Sequence, residues 1–205
     1  MGWCRSFQDR RGAVPLAAGA AAEGTLRLAT TRSDNGDGVF WGLERAEKAK
    51  HLQQYLAAGL TFPGEGEPVQ LIERSYFDGS IAEPLPVQAA LDAGCERVVV
   101  IRTHTTGYRM ARPHLTPRSA LALANVPMTR NAYLLSHLHY NRELTLLDRL
   151  EREGRALVVA PVVESTNIHR YGVSRSAASE FYSEGLRLGK EAAARMKRFL
   201  EEDHE

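Results

Sequence analysis

The segment YFDGSIAEPLPVQAALDAGCERVVVIRTHTTGYRM, residues 76–110, decides the fold that the sequence predicts. Its two aromatic residues favour an extended backbone, and Asp78-Gly79 is a strong turn signal because glycine tolerates positive φ. Two prolines then favour the start of a short helix, and Gly94 is well placed to end it. The apolar run Val98–Ile101 predicts a strand that is covered on both faces. The segment therefore predicts strand, turn, helix and strand, with a carboxylate at the turn.

Hydrophobic periodicity predicts further elements on both sides of this segment. A hairpin is expected over residues 25–41, because the turn SDNGDG separates two apolar stretches. In the helix predicted over residues 129–153, four leucines would form the buried face: Leu135, Leu138, Leu146 and Leu150. Other predicted elements are a helix at 43–60, strands at 69–72 and 156–163, and a helix at 174–202. This order of elements predicts an α/β fold with a mostly parallel sheet flanked by helices.

Composition narrows the class of protein. A chain of 205 residues suits one domain, and residues 1–24 lack a clear period, which predicts a poorly ordered leader before a domain at 25–205. A net charge of +1 gives no basis for nucleic-acid binding. Two cysteines fit a reducing compartment, and Cys95 is expected to be a small buried residue. The sequence has no apolar run of the ~20 residues that cross a bilayer, so a cytoplasmic protein is expected.

Residues 76–110 also carry a resemblance to a known family. The Asp-Gly turn, the proline-bracketed helix with its Ala-Gly end, the valine-rich strand and the Thr…Gly-Tyr-Arg tail resemble the aspartate region of bacterial patatin-like phospholipases. Weaker similarity continues from about Thr25 to the last helix, including residues 128–141, 154–161 and 181–189. Two departures stand out: Ser80 occupies a position where the family usually has glycine or alanine, and the chain has no G-x-S-x-G motif.

The resemblance implies an activity, a site and partners. Patatin-like enzymes hydrolyse acyl esters of lipids with a Ser–Asp dyad, and Asp78 matches the aspartate that activates the serine. The fold implied is a three-layer α/β domain, here amino-terminally incomplete. An acyl-ester lipid would be the substrate, with peripheral contact to a membrane. Self-association or a complementing amino-terminal fragment would supply what is missing, and neither a cofactor nor a metal ion is implied.

The nucleophile is the weakest part of this assignment. The nearest approach to a serine elbow is Gly172-Val-Ser174-Arg-Ser176, which lacks the last glycine and follows Asp78 in the chain, whereas the family places its serine before the aspartate. Ser174 is also a good N-cap for the helix that follows, and this capping role is the expected one. Ser33, Ser75 and Ser80 have no elbow context.

Other polar residues give less specific signals. The histidines are not at metal-ligand spacing, and His104 is expected in an exposed loop beyond the valine-rich strand. Arg102, Arg109 and Arg112 cluster near the same strand end and would suit an anionic head group. Two explanations of the missing serine stay open. The chain is either the carboxy-terminal part of an acyl hydrolase, or a non-catalytic pseudoenzyme or binding module on the same scaffold.

Overall fold

The computed structural model describes residues 25–43, 45–162 and 174–201. The chain forms two compact units, and each is discontinuous in sequence. Unit 1 comprises Met1–Leu85 and Ala111–Tyr140, and unit 2 comprises Pro86–Met110 and Asn141–Glu205. The predicted leader, residues 1–24, lies outside the described residues.

Unit 1 is built on a four-stranded sheet. Its elements are β1 (Leu26–Arg32), β2 (Gly38–Leu43), α1 (Arg45–Leu60), β3 (Val69–Leu71), β4 (Arg74–Asp78), a 3-10 helix (Gly79–Ile81), α2 (Pro117–Ala122) and the first part of α3 (Pro127–Arg152). The strand order is β2-β1-β4-β3, and every pairing in this sheet is antiparallel. The hairpin predicted over residues 25–41 is confirmed as β1 and β2, which pair from Leu26 opposite Leu43 to Thr31 opposite Gly38.

Two apolar clusters hold unit 1 together. One forms around Ala58, Leu71 and Tyr76, with Trp41 and Tyr55 packed against it. The other forms around Phe77, Ile81 and Leu123. Because successive side chains of a strand point to opposite faces, the neighbours Tyr76 and Phe77 supply one cluster each.

A buried hydroxyl ties the start of α3 to the β1–β2 hairpin. Thr129 is fully buried, and its hydroxyl shares one proton between the backbone oxygens of Arg32 at 3.0 Å and Ser33 at 2.8 Å. A buried polar group is stable only when it is paired, so this contact fixes the helix against the turn.

Unit 2 contains a second, smaller sheet. Its elements are the helix Val87–Asp92 (α4), β5 (Val98–Ile101), the second part of α3, β6 (Ala156–Val159) and the helix Arg175–Glu201 (α5). β5 and β6 pair in parallel from Val98 opposite Ala156 to Ile101 opposite Val159. The predicted end of α4 is confirmed, since Gly94 follows it with a φ of 90°.

The fold class is confirmed as mixed α/β, but the strand directions differ from the prediction. Only the two-stranded sheet is parallel, so the expectation of a mostly parallel sheet is wrong for the residues that the structure describes. The connections between β1 and β2 and between β3 and β4 are too short for a parallel crossover, which needs about a dozen residues.

The expected burial of β5 is also corrected. Val98 is buried, Val99 and Val100 are half-buried, and Ile101 is 73% exposed. The apolar sequence of β5 is therefore not matched by cover on both faces among the described residues. Cys95, expected to be buried, is exposed in the connection that leads into β5.

The buried face of α3 is rotated from the predicted one. Of the four predicted leucines, Leu150 is buried and Leu146 is half-buried, but Leu135 and Leu138 are exposed. The other buried apolar positions are Tyr140, Leu144 and Leu147. Two further buried positions carry Ser136 and Glu143, which apolar periodicity does not count. No helix among the described residues is both long and apolar enough to span a bilayer.

Candidate functional site

Asp78 stands at the end of β4, and hydrogen bonds fix its backbone on both sides. Its N–H donates to the Thr61 carbonyl oxygen at 2.8 Å. Its carbonyl oxygen accepts the Thr31 hydroxyl at 2.9 Å, and that hydroxyl in turn accepts the N–H of Ala82 at 3.2 Å. Thr31 is fully buried, so this network links β1, β4 and the residue after the 3-10 helix. The position of the carboxylate is therefore set by the core of unit 1.

Asp78 is half-buried as a residue, and one of its two carboxylate oxygens has a hydrogen-bond donor. Oδ1 accepts the backbone N–H of Ser80 at 2.8 Å, so Asp78 caps the 3-10 helix Gly79–Ile81. Within the described residues, Oδ2 has no protein donor. One carboxylate oxygen is thus held while the other is open to an incoming hydroxyl group.

Gly79 is required by close packing rather than by the positive φ that its sequence context suggests. It opens the 3-10 helix and does not belong to the glycines with positive φ. A Cβ atom added to it would lie 2.4 Å from the carbonyl oxygen of Ala29 on β1. Real Cβ contacts are longer than 3.0 Å, and a backbone atom cannot turn aside as a flexible side chain can. The Asp-Gly pair is therefore a carboxylate followed by a residue that lets two backbone segments touch.

Three of the serines considered in the sequence, Ser33, Ser75 and Ser80, belong to unit 1 and make structural hydrogen bonds. Ser80 is exposed and contributes its N–H to Asp78. The Ser75 hydroxyl donates to Oε1 of Gln70 at 2.8 Å, and the Ser33 N–H donates to the Ser75 carbonyl oxygen. Ser75 lies within β4, Ser33 lies in the β1–β2 turn, and Ser80 lies in the short 3-10 helix that directly follows β4.

Ser174 is confirmed as a helix cap. Its hydroxyl accepts the N–H of Ala177 at 3.1 Å and lies 3.1 Å from the Ser176 hydroxyl. It belongs to unit 2, whereas Asp78 belongs to unit 1. Residues 163–173, which include the rest of the elbow-like segment, lie outside the described residues.

The loop after β5 places two of the predicted arginines on one carbonyl group. Arg102 is buried, and both it and Arg109 donate to the Thr106 carbonyl oxygen at 3.4 Å. Arg109 also pairs with Asp148 at 3.2 Å. Arg112 is exposed and belongs to unit 1, so the anion site expected from these three arginines stays a prediction.

Two further contacts fix the same loop: a stack of two aromatic rings and a pair of hydrogen bonds to an asparagine side chain. His104, expected in an exposed loop, is half-buried and stacks on Tyr108 with ring centroids 3.8 Å apart. Asn141 on α3 accepts the N–H of Met110 and donates to its carbonyl oxygen, both at 2.9 Å. This paired contact fixes the end of the segment in which the family resemblance is densest.

The acidic hairpin turn is held by arginines. Asp34 accepts hydrogen bonds from Arg32 at 2.7 Å and Arg74 at 2.9 Å. Hydrogen bonding to Arg32 lowers the pKa of Asp34, and the same contact raises the pKa of Arg32. The described residues contain no group of three or more His, Cys, Asp or Glu side chains that could hold a metal ion.

A family model matches part of the chain. Residues 126–201 match a family described as a domain of unknown function, DUF6363. The match begins one residue before α3, ends with α5 and covers less than half of the chain. No curated protein matches the chain.

The sequence analysis did not predict a cluster of three arginines in unit 2. Arg142, Arg149 and Arg152 line a groove in unit 2 together with the buried Glu143. The signal was present in the sequence, since arginines seven and three residues apart in a helix share one face.

Proposed function

We propose that Asp78 is the base of a patatin-type Ser–Asp dyad that hydrolyses acyl esters of lipids, with the serine supplied by a segment outside these 205 residues. The proposal includes the three-layer architecture of that family, of which the two sheets of this chain would be parts. The carrying observation is the Asp78 carboxylate, which has one oxygen on the Ser80 N–H and the other open.

The hydrogen bonds and close packing around Asp78 hold this residue in one position, as a general base requires. A general base must stay within hydrogen-bond reach of the proton it removes. Backbone bonds to Thr61 and Thr31 hold Asp78 from both sides, and the contact between Gly79 and Ala29 leaves no room for the turn to move towards β1. The family resemblance of residues 76–110 supports the same role.

In the proposed reaction, Asp78 accepts the serine hydroxyl proton as the serine oxygen bonds to the ester carbonyl carbon. The tetrahedral intermediate then breaks its bond to the alcohol, which leaves with the proton from Asp78. Water hydrolyses the acyl-serine, and Asp78 takes a proton from the water and returns it to the serine oxygen. No other group has to change its protonation state.

A second candidate function is a non-catalytic module on the same scaffold. The observation that favours it is the capping bond from Asp78 to Ser80, since a turn aspartate that caps a helix needs no catalytic role. The two functions differ in whether an Asp78-dependent nucleophile exists.

A fluorophosphonate reagent tests the proposal, because it labels activated serines. We would label the 205-residue chain and a longer product that includes the coding sequence directly upstream in frame, and then map the adduct by peptide mass. The matched variants are Asp78→Asn and Asp92→Asn, which removes an exposed carboxylate bonded to the Gln88 side chain.

We expect one serine adduct in the longer product and none in the 205-residue chain. Asp78→Asn should lower hydrolysis of a p-nitrophenyl ester at least ~100-fold, the scale of general-base catalysis, and Asp92→Asn should leave it unchanged. Two outcomes would overturn the proposal: an adduct that forms equally in Asp78→Asn, or no adduct in either folded product. The second outcome would favour the non-catalytic module.

A further inference from the structure

Unit 2 contains a groove between the start of α4 and the second part of α3. Its volume is about 640 Å³, within the range of ~300–1,000 Å³ typical of small-molecule sites. Both walls belong to the same unit. The lining residues are Gln88, Arg142, Glu143, Thr145, Leu146, Arg149 and Arg152.

Three guanidinium groups dominate the groove. Arg142 and Arg149 are seven residues apart and Arg152 follows three residues later, so all three project from one side of α3 over about three turns. The lining carries three arginines and one carboxylate, a formal charge of +2. The whole chain carries only +1, so positive charge is concentrated here.

The single carboxylate of the groove is already committed. Glu143 has a side chain only 7% exposed, and its Oε2 accepts the backbone N–H of Gln88 at 2.7 Å. Its Oε1 lies 3.8 Å from Nη2 of Arg142, which is longer than a hydrogen bond. Glu143 therefore holds the start of α4, while the Arg142 side chain remains 69% exposed.

The other two arginines are steadied by their own helix. Arg149 lies 3.7 Å from Oε1 of Glu153, and its side chain is 59% exposed. Nε of Arg152 donates to the Asp148 carbonyl oxygen at 3.3 Å, which leaves the two terminal nitrogens of that guanidinium directed away from this bond. These contacts restrict the side chains while most of their N–H donors face solvent.

This arrangement matches the chemistry of a phosphate group. Guanidinium is a planar fork that binds phosphate oxygens in pairs, and its hydrogen bonds to an anion are roughly twice as strong as neutral ones. The half-buried Leu146 gives the groove an apolar surface beside the charges. The volume exceeds that of a single phosphate ion, so an organic group attached to the phosphate also has room.

We propose that this groove binds a phosphate-bearing anion through Arg142, Arg149 and Arg152. The proposal does not depend on the proposed hydrolase, because it uses only residues of unit 2, whereas Asp78 belongs to unit 1, and because it requires no reaction. Its ligand is either a free organic phosphate or the phosphate head group of a lipid, and these sources share the same recognition chemistry.

Calorimetry and vesicle binding test the site and separate the two sources. Inorganic pyrophosphate would be titrated into the 205-residue chain at low ionic strength. In parallel, the chain would be sedimented with phosphatidylcholine vesicles that either contain or lack phosphatidic acid. The variants are Arg149→Gln, Arg149→Lys and the matched control Arg130→Gln, which removes an exposed arginine from an earlier turn of the same helix.

We expect pyrophosphate to bind, with Arg149→Gln about tenfold weaker, because a charge-assisted hydrogen bond is lost. Arg149→Lys should lie between the wild type and Arg149→Gln, since it keeps the charge but loses the fork. Arg130→Gln should bind as the wild type does. Added sodium chloride should weaken binding, because salt screens exposed charges.

Binding confined to phosphatidic acid vesicles, and lost in Arg149→Gln, would also support the site and would identify a lipid head group as the source. The proposal is overturned if neither ligand binds, or if Arg149→Gln and Arg130→Gln reduce binding equally. Circular dichroism of each variant separates lost binding from lost structure. Because both substituted residues, Arg149 and Arg130, are exposed and are replaced by polar side chains, the helix is expected to remain intact.

Discussion

Strands β4 and β5 show opposite relations between sequence and burial. β4 is RSYFD, with a charged residue at each end, yet Tyr76 and Phe77 are only 5% and 2% exposed. β5 is VVVI, entirely apolar, yet Ile101 is 73% exposed. β4 pairs with strands on both edges, whereas β5 has one partner among the described residues. Tyr76 and Phe77 are buried because each belongs to an apolar cluster on one face of β4, so the apolar content of a strand does not by itself predict its burial.

The largest expected effect tests this contrast directly. Phe77→Ala should lower the free energy of unfolding by about 4 kcal/mol, because it opens a cavity in a fully buried cluster. Ile101→Ala should change it by less than ~0.5 kcal/mol, as is usual for exposed positions. Urea unfolding of both variants would measure the difference. Equal losses would mean that β5 is covered in solution by something that the described residues do not include.

The next largest effect concerns two glycines in different settings. Gly79→Ala should lower the free energy of unfolding by about 3 kcal/mol, because overpacking against the Ala29 backbone forces β1 and β4 apart. Gly189→Ala is the matched change in α5, where a new Cβ has nothing within 4 Å, and it should stabilise the helix by up to ~1 kcal/mol. Thermal unfolding would distinguish them. A neutral Gly79→Ala would show that the turn can shift away from β1.

A smaller effect is expected from the threonine that ties α3 to the hairpin. Thr129→Val should lower the free energy of unfolding by about 1.5 kcal/mol, since two backbone carbonyl groups lose a buried donor. The control is Thr145→Val, which removes an exposed hydroxyl bonded to the Asn141 carbonyl oxygen of the same helix. Its effect should stay below ~0.5 kcal/mol. Similar losses in both variants would point to helix propensity as the cause.

The smallest expected effect is an increase in the free energy of unfolding. Ile72 lies in the turn between β3 and β4 and has a φ of +55°, which strains its backbone. The residue is 78% exposed, so burial of its side chain does not offset this strain. Ile72→Asn should raise the free energy of unfolding by about 1 kcal/mol, because asparagine tolerates this conformation. Glu73→Asn, at the adjacent position of the same turn, should not. A destabilised Ile72→Asn would indicate that the isoleucine side chain has a partner in solution.

Local order was predictable from the sequence, and burial was less so. Strand, turn, helix and strand follow one another over residues 74–101 as expected, because Asp78-Gly79, the prolines and Gly94 act on their own neighbours. The face of α3 was misassigned because Ser136 and Glu143 are buried for their hydrogen bonds, which hydrophobic periodicity cannot register. The direction of strand pairing depends on which strands meet, and no local pattern contains that information.

The candidate site was predictable in part. The Asp78-Gly79 turn and the Ser174 cap, both predicted from the sequence, are present in the structure, whereas the role of Asp78 as a base stays a prediction. The sequence did not indicate that Gly79 is needed for contact with Ala29, 50 residues earlier in the chain, because such proximity exists only after folding. The three arginines of the groove share one helix face, and this clustering could have been predicted from their spacing in the sequence. Whether these arginines can bind an anion depends on Glu143, the one carboxylate that lines the groove with them. Glu143 accepts the N–H of Gln88, and this tertiary contact cannot be predicted from the sequence.

The bond from Thr129 to Arg32 spans 97 residues, and this separation bears on how the chain is made. A ribosome releases β1 to β4 first, then residues 86–110, which belong to unit 2, and only afterwards the segment that ends at Tyr140 and completes unit 1. The hairpin turn of unit 1 therefore lacks its hydrogen bonds to Thr129 until the amino end of α3 has been synthesised. Contacts between residues so far apart in sequence are slow to form. The nascent chain would therefore need protection from aggregation until about residue 140 has left the exit tunnel.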